Sequence, residues 1–301
     1  MEEIGMTGIP GTPPVIGVIG GSGIYEIAGL DNVRWQRVHS PFGVASDEVM
    51  HGELNGQKLV FLPRHGRGHR IPPSGLNFRA NIDVLKRCGV TEILSLSAVG
   101  SLREDLPPGS FVLVDQFIDR TFAREKSFFG HGCVAHVSMA DPTCSRLMDA
   151  LEQGANDAGI AVHRGGTYLT MEGPQFSTRA ESELYRSWGC SVIGMTNMPE
   201  AKLAREAEIC YATVAMVTDY DCWHEDHDDV SVEAVIKVLG DNAEKAKALV
   251  QATVPHLADR TEACHAGCHT ALDMALITPP QARDPEAVAR LDAVAGRVLG
   301  G

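Results

Sequence analysis

The chain has no uninterrupted apolar run of membrane-spanning length, and its first residues, Met1-Glu-Glu-Ile-Gly5, carry acid where a secretory leader carries positive charge. These two absences argue against a spanning helix and give the expectation of a cytosolic protein. Basic residues are also scarce: 26 Lys and Arg stand against 39 Asp and Glu, a formal net charge of -13. Gripping a nucleic-acid backbone takes clustered cations, so neither nucleic acid nor a membrane is an expected partner. The eight cysteines, at 88, 133, 144, 190, 210, 222, 264 and 268, are scattered over a long chain. The dense framework of a small disulfide-stapled domain is therefore missing, and reduced, mostly buried thiols are expected.

Three nucleotide and nucleophile motifs are missing from the first glycine loop as well. Val15-Ile-Gly-Val-Ile19 reads as a buried strand entering Gly20-Gly-Ser-Gly23. The segment Gly20 to Glu26 lacks the G-x-G-x-x-G of a dinucleotide fold, the Gly-Lys-Ser/Thr of a P-loop, and the last glycine of a G-x-S-x-G elbow, where Ile24 stands. What remains is a tight turn with backbone N–H groups and the Ser22 hydroxyl, donors that suit a small oxyanion. After the next apolar strand, Lys58–Leu62, comes Pro63-Arg-His-Gly-Arg-Gly-His69, where two arginines and two histidines gather in an otherwise acidic chain. A bidentate Arg64 is the expected anion anchor there. Ser97-Ala-Val-Gly-Ser101, after strand Glu92–Ser97, is read as a third polar turn.

Strand and helix patterns alternate along the rest of the chain. Asn55-Gly56 between two apolar stretches predicts a type I′ hairpin, and Ser74 is placed as the cap of a helix through Lys86. A helix follows Asp141-Pro142, the capping box Thr178-Arg-Ala-Glu181 opens another, and a long helix runs from about Ser231 to Val254. Such alternation predicts an α/β fold, a mostly parallel or mixed sheet covered by helices with its chemistry at the strands' carboxyl ends. Residues 1–14 read as a flexible arm, 15–257 as the main domain and 258–301 as a C-terminal helical appendage.

Seven motifs in order then carry a resemblance: Gly20–Gly23, Arg64–His69, Asn77–Asn81, Ala98–Leu102, Asp115–Asp119, Glu172–Ser177 and Thr218–Trp223. From about Val15 to about Pro255 the chain resembles the methylthioadenosine phosphorylases of the trimeric purine nucleoside phosphorylase superfamily. The resemblance implies a central mixed β-sheet surrounded by helices, no metal or organic cofactor, and a homotrimer, or a hexamer of paired trimers, with sites near subunit interfaces. Phosphate, the co-substrate, would be held by Ser22, Arg64, His65, Ser97, Ala98 and Thr196. His69 would lie between phosphate and ribose, Met195 over the ribose, and Phe176 and Ser177 beside the base. Asp219 and Asp221 would meet the N7 and N6 edge of the purine. Val232 and Val235, with His136 from a neighbouring subunit, would line the pocket for the 5′ group.

The implied activity is phosphorolysis of 5′-methylthioadenosine to adenine and 5-methylthioribose-1-phosphate, a salvage reaction. Its transition state places positive charge on the sugar and negative charge on the departing purine. Bound phosphate stabilises the first, and a carboxyl of raised pKa at N7 stabilises the second. Gly194-Met-Thr-Asn-Met-Pro-Glu200 keeps a 6-oxopurine substrate, methylthioinosine or inosine, as the alternative. A nucleoside-binding or sensing protein is the non-enzyme alternative. Cys264-His265 with Cys268-His269, and the acidic run His224–Asp229, are read as a structural tail and a solvated loop, not as metal sites.

Overall fold

In the computed structural model, the described residues are 13–21, 23–224, 232–258 and 264–300, those at 232–237 by backbone alone. Ser22 therefore lies outside the described residues, as do the side chains of Val232 and Val235.

Four strands and a helix open the fold. Strands β1 (Ile16–Gly20), β2 (Asp31–Gln36), β3 (Val49–Leu54) and β4 (Gln57–Pro63) precede helix α1 (Phe78–Arg87). Every residue of β1 is buried, as befits a strand flanked on both sides, and it pairs in parallel with β4. The β3–β4 hairpin forms as expected, Leu54 facing Gln57 and the turn residues Asn55 and Gly56 at φ 51° and 81°. The helix cap is corrected: Pro73–Gly75 is a short 3-10 turn, and α1 is capped by Asn77, whose Oδ1 accepts from the Ala80 N–H at 3.0 Å. Pro72 and Pro73 hold the Ser74 segment in that separate turn, leaving Asn77 as the residue in reach of the helix's free N–H groups.

Strand β5 (Glu92–Ser101) is longer than its apolar core suggests and is followed by β6 (Phe111–Leu113), β7 (Gln116–Asp119), α2 (Ser145–Asp157), β8 (Val162–Arg164), β9 (Thr167–Thr170), α3 (Arg179–Ser187), β10 (Val192–Gly194), α4 (Asn197–Glu206) and β11 (Cys210–Asp219). The expected turn at Ser97–Ser101 is instead the end of β5, because β10 pairs with it antiparallel at Gly100 and Ser101 while β11 runs parallel along it from Glu92 to Gly100. Gly100 is required there by close approach: a Cβ would lie 2.9 Å from Asp219 Oδ1. The capping box Thr178–Glu181 opens α3 as predicted.

Eleven strands among the described residues form one mixed sheet, branched at β5. Because β4, β1, β5 and β11 are mutually parallel in sequence of pairing, their carboxyl ends share one edge. A long helix α5 (Val232–Thr253) then packs with α2 over one face, where Leu147, Leu151, Leu249 and Val250 meet Val18, Leu94 and Val214. Helices α1 and α4 cover the other face.

The C-terminal stretch contains α6 (Pro255–Ala258), α7 (Pro285–Arg290) and α8 (Asp292–Leu299). Rather than hanging off as an appendage, it contributes Leu272, Leu291, Val294 and Ala295 to the core over α1 and α4, while Arg87 bridges Asp83 and Asp292. Leu291→Ala should accordingly lower unfolding free energy by about 2–5 kcal/mol. A urea denaturation midpoint equal to that of the parent chain would show that the tail contributes nothing to the main core.

Candidate active site

The shared edge gathers the loops singled out in the sequence. Gly20 pairs with Pro63, and the Arg64 N–H donates to the Gly20 carbonyl at 2.9 Å, so the first glycine loop and the Arg64–His69 loop lie side by side. Arg64 itself is 2% exposed, and its fork is taken by Glu200: Nε donates to Oε2 at 2.8 Å and Nη2 to Oε1 at 3.0 Å. Nη2 also donates to Ser95 Oγ at 2.7 Å, and Nη1 to the Leu96 carbonyl at 2.8 Å. The expectation of a bidentate phosphate anchor is thus corrected. With four of five N–H groups engaged inside the protein, Arg64 keeps only one N–H for an anion.

His65 is buried beside it. Its Nδ1 lies 2.9 Å from the Ile71 carbonyl and must donate there, which leaves Nε2 as the free ring nitrogen. Burial foremost, with the neighbouring Arg64 and His69, pushes its pKa down to about 4, so the imidazole is neutral near pH 7. His69, exposed and at φ 50°, stacks on it with ring centroids 4.3 Å apart. Farther along the edge the Ser97 hydroxyl lies 3.1 Å from Thr196 Oγ1 and 3.0 Å from the Tyr168 hydroxyl. Thr196 sits at the start of α4 without using its side chain as a cap, which leaves that hydroxyl to the cluster. Gly194 makes the arrangement possible, since a Cβ there would fall 2.0 Å from the Tyr168 oxygen. Ala98 is exposed next to Ser97.

Asp219 and Asp221 occupy the carboxyl end of β11. Asp219 is held by Thr218, whose hydroxyl donates to Oδ2 at 2.7 Å, and by the Asp221 N–H, which donates to Oδ1 at 2.8 Å. Burial raises the pKa of both carboxyls; for Asp219 the charge of Asp221 adds to it. Asp221, at φ 53°, has an Oδ2 that is buried with no hydrogen-bond partner among the described residues. Ser177 and Phe176 lie in the adjoining loop, Ser177 half-buried with its carbonyl accepting from the Cys222 thiol at 3.3 Å, Phe176 47% exposed.

A supporting network went unread in the sequence. Arg124, with a side chain 1% exposed, donates to the Met195 and Met198 carbonyls at 2.7 Å each and to Glu172 Oε1 at 3.1 Å. It thereby sets the half-buried Met195 beside the Glu172–Ser177 loop. Glu172 is held at about 2 because, against burial, it accepts from Ser74 Oγ and from the Phe122 and Ala123 N–H groups as well as Arg124. Glu172 and Glu200 both sit inside motifs already singled out, so motif membership was the available signal; which donors they meet was not local information. His136 is exposed and lines a separate hollow of about 380 Å³ with Lys126 and Glu206, which includes none of the other site residues. A larger hollow of about 480 Å³, over Arg34, His51 and Arg87, is also elsewhere.

Two outcomes follow for the anion loop. Arg64→Ala should destabilise the fold by about 3–5 kcal/mol, because Glu200 would stay buried and unpaired, and adding Glu200→Gln should recover part of the loss. Strictly additive losses in urea titrations would mean the pair is not coupled. His65, followed by NMR, should titrate near 4 in phosphate-free protein and higher when phosphate is added. A midpoint near 6.5 without phosphate would mean that burial beside Arg64 does not displace the imidazole from its ordinary value.

The whole arrangement has counterparts. The sequence profile of the Phosphorylase superfamily matches residues 15–255. The S-methyl-5'-thioadenosine phosphorylase of Rhodospirillum rubrum is 66% identical over 287 residues, 95% of this chain and 98% of that one. The enzyme of the same name from Cereibacter sphaeroides is 62% identical, covering 95% and 99%. Among solved structures, a methylthioadenosine phosphorylase sourced from an antarctic soil metagenomic library is 49% identical with a TM-score of 0.89, covering 94% of this chain and 99% of that chain. The Schistosoma mansoni methylthioadenosine phosphorylase in complex with adenine is 38% identical with a TM-score of 0.76, covering 80% and 91%. Matched by that profile over residues 15–255 and 66% and 62% identical to the Rhodospirillum rubrum and Cereibacter sphaeroides enzymes over nearly its whole length, the chain belongs to the S-methyl-5'-thioadenosine phosphorylases of the Phosphorylase superfamily.

Proposed function

We propose that the protein catalyses phosphorolysis of 5′-methylthioadenosine, with inorganic phosphate as co-substrate and no organic cofactor. The observation that carries this reading is the buried Asp221 Oδ2, an acceptor without a partner among the described residues just past β11, beside a second carboxyl of raised pKa. An exocyclic amine at purine position 6 supplies the missing donor, and a protonated neighbour supplies a hydrogen bond or proton to N7. Phosphate, oriented by the Ser97 and Thr196 hydroxyls, by the remaining N–H of Arg64 and by its own O–H donating to the unprotonated Nε2 of His65, forms a bond to C1′ through one oxygen as the C1′–N9 bond breaks. The electron pair of the broken bond leaves with the purine, whose charge is met at N7. Holding both partners in line removes the entropy cost of their encounter.

A homotrimer with sites near its interfaces, working in cytosolic salvage, belongs to the same reading. Exposed Phe122, Phe176, Leu184 and Trp188 provide apolar surface suited to subunit contacts. Sedimentation of the purified chain as a stable monomer at assay concentration would remove the trimer from the proposal.

Base release from methylthioadenosine is expected to require phosphate and to produce a 1-phosphorylated sugar; undiminished turnover in phosphate-free buffer would mean that water is the nucleophile. In competition assays methylthioadenosine should exceed methylthioinosine in kcat/KM by roughly tenfold or more, since a carboxylate accepts from an amine and repels a carbonyl. Asp219→Asn combined with Asp221→Asn should shift that ratio toward the oxo substrate and slow both. A parent enzyme that prefers the oxo substrate would overturn the assignment of the two aspartates and favour the 6-oxopurine reading.

A further inference from the structure

At the opposite edge of the sheet, four cysteines from three stretches of chain meet. Cys144 immediately precedes α2, Cys210 opens β11, and Cys264 and Cys268 lie beyond α6. Their sulfurs all lie within 4.8 Å of one another, and the residues are 0%, 0%, 6% and 1% exposed. None is in a disulfide. Cys144 Sγ is 3.1 Å from Cys264 Sγ, which is 3.2 Å from Cys268 Sγ. Those separations are far beyond the 2.05 Å or so of a covalent S–S bond, and tighter than apolar side chains take up in a core.

We propose that Cys144, Cys210, Cys264 and Cys268 form a structural tetrathiolate site for a thiophilic divalent cation, zinc in the cell. Four sulfurs at about 2.3 Å from a central ion lie roughly 3.8 Å apart in a tetrahedron, a geometry that small opening of the two short contacts reaches. The C-x3-C spacing of Cys264 and Cys268 is within the range of such sites, and the turn between them is built for it. The Gly267 N–H donates to the Cys264 carbonyl at 2.9 Å and Gly267 takes φ 63°, which brings both sulfurs to one side.

Binding replaces four thiol protons by one dication, leaving two net negative charges that burial would penalise without offset. Polar groups stand beside the cluster to moderate that cost: Arg146 Nη2, which also pairs with the buried Glu92, lies 3.7 Å from Cys210 Sγ, and His269 Nε2 lies 3.5 Å from the same sulfur. The start of α2 adds the positive end of its dipole at Cys144. All four positions are taken by sulfur, so no site is left open for substrate, and the ion ties the C-terminal stretch to α2 and β11. It stands far from the chemistry: Cys210 and Asp219 are the two ends of one 10-residue strand, about 30 Å at roughly 3.3 Å per residue. From sequence, the tail cysteines seemed to have only His265 and His269 as companions; the other two ligands come from residues 120 and 54 positions earlier in the chain, counted from Cys264.

The test is metal content of the untagged, full-length protein purified in reducing buffer without chelators. About one zinc per chain is expected, released as a mercurial titrates the thiols. Cobalt supplied to the metal-free protein should give thiolate charge-transfer bands and the visible absorption of a tetrahedral S4 site. Cys268→Ser should bind less metal and melt at least about 5 °C lower. Reduced protein that takes up neither zinc nor cobalt overturns the proposal, as does a Cys264–Cys268 or Cys144–Cys264 disulfide that persists in reducing buffer. Full metal retention by Cys268→Ser would do the same. If that variant fails to fold, the cobalt spectrum of the parent protein still decides.

Discussion

The Arg64–Glu200 pair is the constraint around which the anion edge is arranged. A guanidinium and a carboxylate, each with a side chain 3% exposed, have left water, which is costly unless every hydrogen bond is replaced. The replacement is thorough. Glu200 Oε1 accepts from Ser95 at 2.7 Å and from the Tyr211 hydroxyl at 2.9 Å as well as from Arg64, and Asn197 donates to that tyrosine at 2.6 Å. Through these bonds the loop after β4 is locked to β5, to α4 and to β11. Among the described residues, the polar groups beside this pair are mostly neutral: a histidine whose Nε2 carries no proton near pH 7, and the Ser97 and Thr196 hydroxyls. Under the proposed reading, recognition of phosphate depends on placed dipoles more than on free charge, in a chain whose net charge of -13 works against loose anion capture.

The carboxyls at the same end of the sheet show how donors decide protonation. Glu172 and Asp221 are both buried, 9% and 7% exposed, yet one is held at about 2 and the other is raised. Burial pushes both upward. Glu172 receives a hydroxyl, two backbone N–H groups and Arg124, which together outweigh that push. Asp221 has an oxygen with no donor among the described residues, and the neighbouring Ser177 and Ser182 hydroxyls only moderate the rise. The first carboxylate organises a loop; the second retains hydrogen-bonding capacity, which the proposed reading assigns to the purine amine.

Local chemistry is what sequence reading captured. Asn55-Gly56 and the box Thr178–Glu181 require only a few neighbouring residues, and both formed as expected. The end of β5 did not, because whether Ala98-Val-Gly100 turns or continues depends on β10 and β11, which lie about 90 to 120 residues later. The site divides in the same way. Ser97 with Thr196, and Asp219 with Asp221, meet as their motifs implied, whereas the partner of Arg64 and the role of Arg124 depend on contacts that no spacing encodes. Ser22 and the side chains of Val232 and Val235 lie outside the described residues, and His136 lines a hollow apart from the other candidate residues.

One strand pair accounts for this division of labour. Strands β5 and β11 run parallel in register from Glu92 and Cys210 at one edge to Gly100 and Asp219 at the other, with a register slip between Val217 and Asp219. At the amino ends, Glu92 pairs with Arg146 and Cys210 sits among thiols, contacts that join helices and tail to the sheet. At the carboxyl ends the slip and the bare Gly100 let two acids sit close over β5. A parallel strand offers unpaired backbone and a change of direction at each end, but loops leaving the carboxyl ends here come from four neighbouring strands at once. Convergent polar groups can therefore be supplied at that edge from separate loops without disturbing the buried interior of β1, β5 and β11. The same two strands are thus tied to helices and tail at one edge, by Arg146–Glu92 among other contacts, and carry the two raised carboxyls at the other, so packing and polar chemistry are set at opposite ends of one pair.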